Sequence, residues 1–290
     1  MAKAKAILRR RRVVTNTRKI TRTMELVSTA KFRQSFVRFE SSRPYYETMQ
    51  EVVRELSRAD LGVEHPLLEK REPARRATLL VLTSNRGLCG GFNTHLCRTA
   101  RDYAAEIAAA GMTLDLHVAG KKGIGFFKFR GTEIAAGYTA FGDKPRYTDV
   151  ETLAETLLAA YTSQRTDRVA VVYQRYVSAA VQRPQLDVLL PMTPPPAAPA
   201  ASVAGGEVLF SPAAAELLQR LLPAVFKTTL YQLFLETAVG EQRARMVAMK
   251  NATDNAETMI KTLTRMYNRA RQGQITNEIS EIMGGVEALQ

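Results

Sequence analysis

With 290 residues, 46% of them hydrophobic, the chain can bury a core in one or two domains. Its 41 Lys and Arg against 28 Asp and Glu give a net charge of +13. That balance fits nucleic acid, an anionic membrane surface, an acidic protein partner or a plainly solvated basic surface. Two cysteines, Cys89 and Cys97, exclude a disulfide framework, and three histidines (His65, His95, His117) are too few for a convincing zinc site.

The N-terminus is basic but has no hydrophobic signal core. Residues 3–58 read as helix, with Val13, Thr17, Ile20, Met24, Val27, Ala30, Gln34 and Val37 stepping by three and four. Arg9-Arg10-Arg11-Arg12 spreads around the circumference of such a helix, as a collar of charge. Pro44 predicts a kink or a break, since an interior proline costs about 3 kcal/mol. Tyr45, Met49, Val52, Val53 and Leu56 continue the apolar face beyond it. Gly62, Pro66 and Pro73 then mark a linker.

The middle of the chain alternates strand and helix. Strands are predicted over residues 77–83, 113–118, 132–138, 169–177 and 185–190. Helices are predicted over 94–110, 123–129 and 148–161. This pattern is an α/β layer with a mostly parallel sheet. Residues 191–206 are rich in proline and alanine and form a loose exit. Residues 73–206 therefore have the makings of a domain that folds alone.

Residues 211–290 read as one long helix, rich in good helix formers. The apolar run at 221–239 comes nearest to membrane-spanning length but carries Lys227 and Glu236. Met259, Leu263, Met266, Ala270 and Gly273 form a narrow seam, followed by Ile275, Ile279, Ile282 and Val286 in the same rhythm. A helix of this length reaches about 100 Å, too long for a compact domain. It needs a partner helix or a sleeve. The N-terminal helix is the natural partner, which divides the chain into a coiled-coil helix at 1–60, an α/β domain at 73–206 and a second coiled-coil helix at 211–290.

Gly87-Leu-Cys-Gly-Gly lies between a strand and a helix, where phosphate cradles are found. It lacks the Gly-x-Gly-x-x-Gly spacing and a closing Lys-Ser or Lys-Thr, so the glycines read as a tight turn. Cys89 with His95 or His117 has no orienting acid at a motif spacing. No catalytic, cofactor-binding or metal-binding residues are expected.

Three stretches taken together resemble the γ subunit of F-type ATP synthases. They are Asn16-Thr-Arg-Lys-Ile-Thr-Arg-Thr-Met-Glu-Leu-Val-Ser-Thr-Ala-Lys, Ser84-Asn-Arg-Gly-Leu-Cys-Gly-Gly-Phe-Asn, and Arg245-Met-Val-Ala-Met-Lys-Asn-Ala-Thr-Asp-Asn with its continuation to Gly284-Gly285. The resemblance implies a fold of the α/β class plus a long antiparallel coiled coil, with the N- and C-terminal helices paired and a Rossmann-like α/β domain between them. It implies a non-catalytic rotating shaft that couples ion flow through a membrane rotor to the nucleotide sites of the β subunits. The implied partners are the α and β subunits of the catalytic ring, an ε-type stalk subunit and the membrane c-ring, with no nucleic acid and no cofactor. The implied location is peripheral, on the cytoplasmic side of the cell membrane.

By motif position, Met24, Arg245, Gln272 and Thr276 fall where the family's shaft meets the acidic lever of β or braces its own helices. Phe210 and Ser211 fall at the rotor foot, where Ser211 replaces the family's usual acid. Gly240 stands where a serine is usual before Glu241. The alternative from composition alone is a basic coiled-coil protein that binds nucleic acid or serves a structural role. Its arginines are not interleaved with stacking aromatics, and no nucleic-acid-binding signature is present.

Overall fold

The computed structural model describes residues 2–58, 65–178, 181–192 and 214–287. The elements in order are α1 (Ala2–Arg58), β1 (Arg76–Leu82), α2 (Phe92–Ala109), β2 (Thr113–Ala119), α3 (Lys121–Phe129), β3 (Ala136–Tyr138), α4 (Tyr147–Thr162), β4 (Arg168–Tyr176), β5 (Gln182–Leu190) and α5 (Ala214–Glu287). The chain divides into two compact units. One comprises Met1–Thr29 with Arg245–Gln290, and the other Ala30–Ala244.

In the larger unit five strands form one sheet in the order β3-β2-β1-β4-β5. The first four run parallel, and β5 pairs antiparallel with β4. The mostly parallel sheet is as expected. β3 is shorter than its predicted span of 132–138, because Thr132 closes the turn after α3, its N–H donating to Phe127 O at 3.0 Å.

The central strands β1 and β4 are apolar on both faces, as a sheet covered by helices on both sides requires. Ala77, Leu79, Val81, Leu116, Val118, Ala170 and Val172 pack with α2 and α3 through Phe92, Leu96, Cys97, Ala100, Ile107 and Phe127. The alternate residues Leu80, Leu82, Val169, Val171 and Tyr173 pack with α4 and with the start of α5. From α5 come Leu218, Leu222, Val225, Phe226, Leu230, Leu233 and Phe234, and from α1 Val53. Lys227 of α5 reaches Glu151 and Glu155 of α4 at 3.0 and 2.7 Å. This core extends beyond residues 73–206.

α1 runs through Pro44 without a break. Residues on both sides of the proline are anchored. Phe39 packs with Leu235 and Val239, and Met49, Val52 and Val53 join the sheet core. Ser42 Oγ donates to Gln232 Oε1 at 2.6 Å, and Gln50 Nε2 to Thr229 Oγ1 at 3.1 Å. Burying several apolar side chains at about 1.5–3 kcal/mol each outweighs the proline's penalty.

In the smaller unit, the start of α1 and the later part of α5 pair through a seam that differs from the expected one. On α1 the buried positions are Thr21 and Ser28, in line with half-buried Arg11, Val14, Arg18 and Glu25. On α5 they are Arg245, Met249, Thr253, Ala256 and Leu263, in line with Ile260, Tyr267 and Ala270. Thr253 Oγ1 donates to Thr21 Oγ1 at 2.9 Å, Arg18 meets Glu257 at 3.6 Å, and the Arg11 guanidinium lies 5.6 Å from the Tyr267 ring centre. The expected stripe of Val13, Ile20 and Val27 is one residue away, about 100° around the helix, and is exposed. Of the expected α5 seam, Leu263 and Ala270 face inward, whereas Met259, Met266 and Gly273 are exposed. The physical reason is size. Thr, Ser and Ala let the two backbones approach, and the spacing between helices is set by the side chains at the contact.

Gly240 owes its place to close packing. A β-carbon there would lie 2.5 Å from Gln174 Cγ, 3.1 Å from Gln174 Cβ and 3.7 Å from Phe92 Cε2. Glycine lets α5 lie directly on β4, and Gln174 occupies the space.

Two outcomes follow. A fragment of residues 73–206 lacks the α5 side chains that cover one sheet face. It should melt without cooperativity and bind a hydrophobic dye, whereas residues 30–244 should unfold in one transition; a cooperative melt of 73–206 would refute this. Gly240→Ala gains about 1 kcal/mol in helix propensity but overpacks the site by about 1–3 kcal/mol, a net loss of stability. Gln174→Ala should relieve it, giving a coupling of about 1 kcal/mol in a four-member urea cycle. Strictly additive effects would mean that the contact is not tight.

Candidate partner-binding surfaces

The residues singled out by motif position occupy different environments. Met24 is half-buried on α1. Arg245 is buried on α5, 6% exposed, and its side chain is engaged. Gln272 and Thr276 are exposed on α5, and Thr276 Oγ1 donates to Gln272 O at 3.0 Å, one turn back along the same helix. Phe210 and Ser211 lie outside the described residues.

Reading the sequence missed how the paired helices distribute their chemistry. Several of their inner positions are small or polar, with Thr21, Ser28, Thr253 and Ala256 buried beside Met249 and Leu263, and several outer positions carry large apolar side chains. Val13 and Ile20 are 59% and 60% exposed on α1. On α5, Ile275, Ile279, Ile282 and Met283 are all exposed, Ile282 by 68%. Single exposed apolar residues are ordinary, but these recur at helical spacing along one stretch of α5. Around these residues the cations point outward. Arg9, Arg10, Arg12, Arg265, Arg269 and Arg271 are exposed, while Arg11 turns inward onto Tyr267. The four consecutive arginines thus form a collar with one member in the seam.

The glycine loop between β1 and α2 is tied together by its own side chains. Ser84 N–H donates to Asn93 Oδ1 at 3.0 Å, and Ser84 Oγ to Arg86 O at 2.6 Å. Asn93 Nδ2 contacts Cys89 Sγ at 3.2 Å. Asn85 Nδ2 donates to Phe141 O at 2.6 Å, while its Oδ1 accepts from Lys121 N–H at 3.0 Å. Gly90 has φ 58°, the left-handed region that favours glycine. Leu88 holds φ 65° with its side chain 58% exposed. A leucine rarely adopts this backbone, and here it presents an exposed apolar side chain. The buried Cys97 thiol is pushed up to about 11 by desolvation, which keeps it protonated and unreactive.

No described helix is long and apolar enough to cross a membrane. Residues 3–289 match a family model described as ATP synthase. The chain is 43% identical to an ATP synthase gamma chain from Rhodopirellula baltica, and 42% identical to one from Gemmatimonas aurantiaca, over the full length of both chains in each case. Among solved structures it resembles a chain of the Euglena gracilis mitochondrial ATP synthase, in a structure of its OSCP, F1 and c-ring parts. The TM-score is 0.69 at 19% identity, with 99% of this chain and 95% of that one covered. A chain of the Tetrahymena thermophila mitochondrial ATP synthase central stalk and c-ring gives 0.57 at 20% identity, over 80% of this chain and 99% of that one. These two likenesses support the paired-helix and parallel-sheet fold. The nucleic-acid-binding alternative finds no support among the relatives. The chain belongs to the ATP synthase gamma-chain family, the non-catalytic central-stalk subunits of F-type ATP synthases.

Proposed function

We propose that the paired helices turn inside a ring of α and β subunits and that their asymmetric surface drives the β nucleotide sites through their states in sequence. The larger unit takes its torque from a membrane c-ring and contacts an ε-type stalk subunit. The protein works peripherally, on the cytoplasmic side of the cell membrane. The observation that carries this reading is the outward apolar row of α5, Ile275, Ile279, Ile282 and Met283, on a chain related to gamma chains over its whole length. Such a row needs a sleeve, and a ring of subunits is one.

The exposed arginines provide long-range attraction to acidic levers on β without locking one angle, because exposed ion pairs are weak and screened. Met24 and Arg245 belong to the same compact unit and serve as contacts or braces near a lever. Gln272 and Thr276 play that part further along α5, and Phe210 and Ser211 belong to the foot. Co-purification of the tagged chain with α and β subunits tests the assignment directly. Recovery of the chain alone, from cells that make all the subunits, would overturn it.

Met24 tests the mechanism. Methionine is flexible and slides past changing neighbours. Met24→Lys adds a cation beside the lever. At 4 Å and an effective dielectric near 20 the new pair gains about 4 kcal/mol before desolvation and screening. The net is nearer 1 kcal/mol, enough to slow a rotary step about fivefold. The complex should assemble, but ions pumped per ATP hydrolysed in reconstituted vesicles should fall. Neutralising Arg245 in the same chain should restore part of the loss. Normal pumping by Met24→Lys, or equal damage from Met24→Ala, would reduce Met24 to a packing residue.

A further inference from the structure

The end of β4, Tyr173 to Tyr176, has no neighbouring strand on its β1 side among the described residues. β1 pairs with β4 only over Arg168 to Val172, while β4 continues to Tyr176. β5 covers the other edge through to Tyr176. Alternate amides of a strand point to the same edge, so Gln174 and Tyr176 turn their N–H groups to the side that β1 has left. A buried N–H without an acceptor costs about 1–3 kcal/mol.

Two side chains of α5 replace the missing strand. Tyr176 N–H donates to Glu236 Oε1 at 2.7 Å, and Gln174 N–H to Thr237 Oγ1 at 3.4 Å. Both acceptors are buried, Glu236 to 9% exposure. Gly240, one turn further on, allows this approach by admitting Gln174. The Tyr176 ring lies 5.6 Å from Phe36 and 6.1 Å from Phe39 of α1. Tyr176 is therefore where β4, α1 and α5 meet, and its amide is held by the carboxyl group of Glu236.

We propose that Glu236 is a positioning residue, a proton-sensitive clasp that holds α5 to the open end of β4. This does not depend on the rotary reading. A neighbouring cleft of about 500 Å³, which Glu236 helps to line, gives the carboxyl access to solvent protons. The charged and titratable groups around it come from every packed element. β4 contributes Tyr173 and Arg175, and β5 contributes Asp187 and Arg183. α1 contributes Glu40, Arg43, Tyr46 and Glu47. Tyr173 OH donates to Asp187 Oδ2 at 2.8 Å, and Arg43 pairs with Glu47 at 2.7 Å and Glu40 at 3.9 Å. Burial pushes Glu236 up to about 7, and Asp187 adds to this; the Tyr176 N–H bond and Arg175 oppose it.

The sign follows from linkage. The folded carboxyl keeps its proton up to about pH 7, whereas the unfolded one releases it near 4.5. The joint is therefore strongest below about 4.5 and weakens as pH rises to about 7. Above that it stays at its weaker, charged level. Over pH 5.5–8 the wild-type joint should loosen with rising pH.

The test is hydrogen exchange on the full chain, read as protection factors for the peptide around Gln174 and Tyr176 between pH 5.5 and 8. Wild-type protection should fall at least tenfold across this range. Glu236→Gln keeps the acceptor without the charge, so its protection should be flat. Glu236→Leu removes the acceptor, so protection should be at least tenfold lower than wild type at pH 5.5. Flat wild-type protection, a Glu236→Gln profile that follows wild type, or a Glu236→Leu variant protected like wild type would each overturn the clasp. If Glu236→Leu fails to fold, the pH profiles of the other two decide the matter.

Discussion

One helix of 74 residues has to satisfy two different partners along its length. As far as Ala244, α5 is a wall of the α/β unit, burying Leu222, Phe226, Leu230 and Val239. From Arg245 on it is half of a two-helix pair, burying Met249, Thr253, Ala256 and Leu263. The same helical backbone serves both partners. The sequence adapts to each, with a continuous apolar surface where a sheet must be covered and a narrow seam where one helix suffices. Glu241 and Gln242, both buried, and Gly240 mark the change. Here the large apolar residues give way to a glycine and polar side chains, and Gln242 Nε2 donates to Asp143 Oδ1 at 3.1 Å.

The α/β layer was legible because its signals were local and redundant. Residues 77–82 are apolar, β-branched or otherwise suited to burial, and the structure buries all of them, so the strand was unambiguous. The turn at Gly90 and the helix after it followed from glycine spacing and the return of helical periodicity. At Pro44 the helix does not break, because the local penalty of about 3 kcal/mol is offset by the long-range contacts of Phe39, Met49 and Val53, whose partners no local pattern reveals. The coiled-coil seam departs in part from its expected residues for a different reason. The rhythm of large apolar residues points to Val13, Ile20, Val27, Met259 and Met266, which in this pair are on the outside, whereas Leu263 of the same set is buried. Thr21, Ser28 and Thr253 make a poor hydrophobic pattern and a good interface. The motif positions Met24, Arg245, Gln272 and Thr276 came from resemblance. Glu236 left no sequence signal beyond a lone acid in an apolar run.

Inside and outside then obey different physics. The interior of the pair is held by directional contacts. The Thr21–Thr253 hydrogen bond is buried, and a slip of one residue would break it, although each hydroxyl also has an acceptor on its own helix, Arg18 O for Thr21 and Met249 O for Thr253. Buried polar pairs of this kind fix the register of coiled coils at some cost in stability. The outer surface has the reverse character. Apolar contact is non-directional and scales with area, so Ile275, Ile279 and Ile282 can lie against a sleeve at many angles with little preference among them. Hydrogen bonds in their place would each have to be broken and remade during a turn. In these two helices polar groups such as Thr21, Ser28 and Thr253 lie in the seam beside Met249 and Leu263, and large apolar groups such as Val13, Ile20, Ile279 and Ile282 lie outside, an arrangement that suits a shaft rigid within itself and free to slip against its housing.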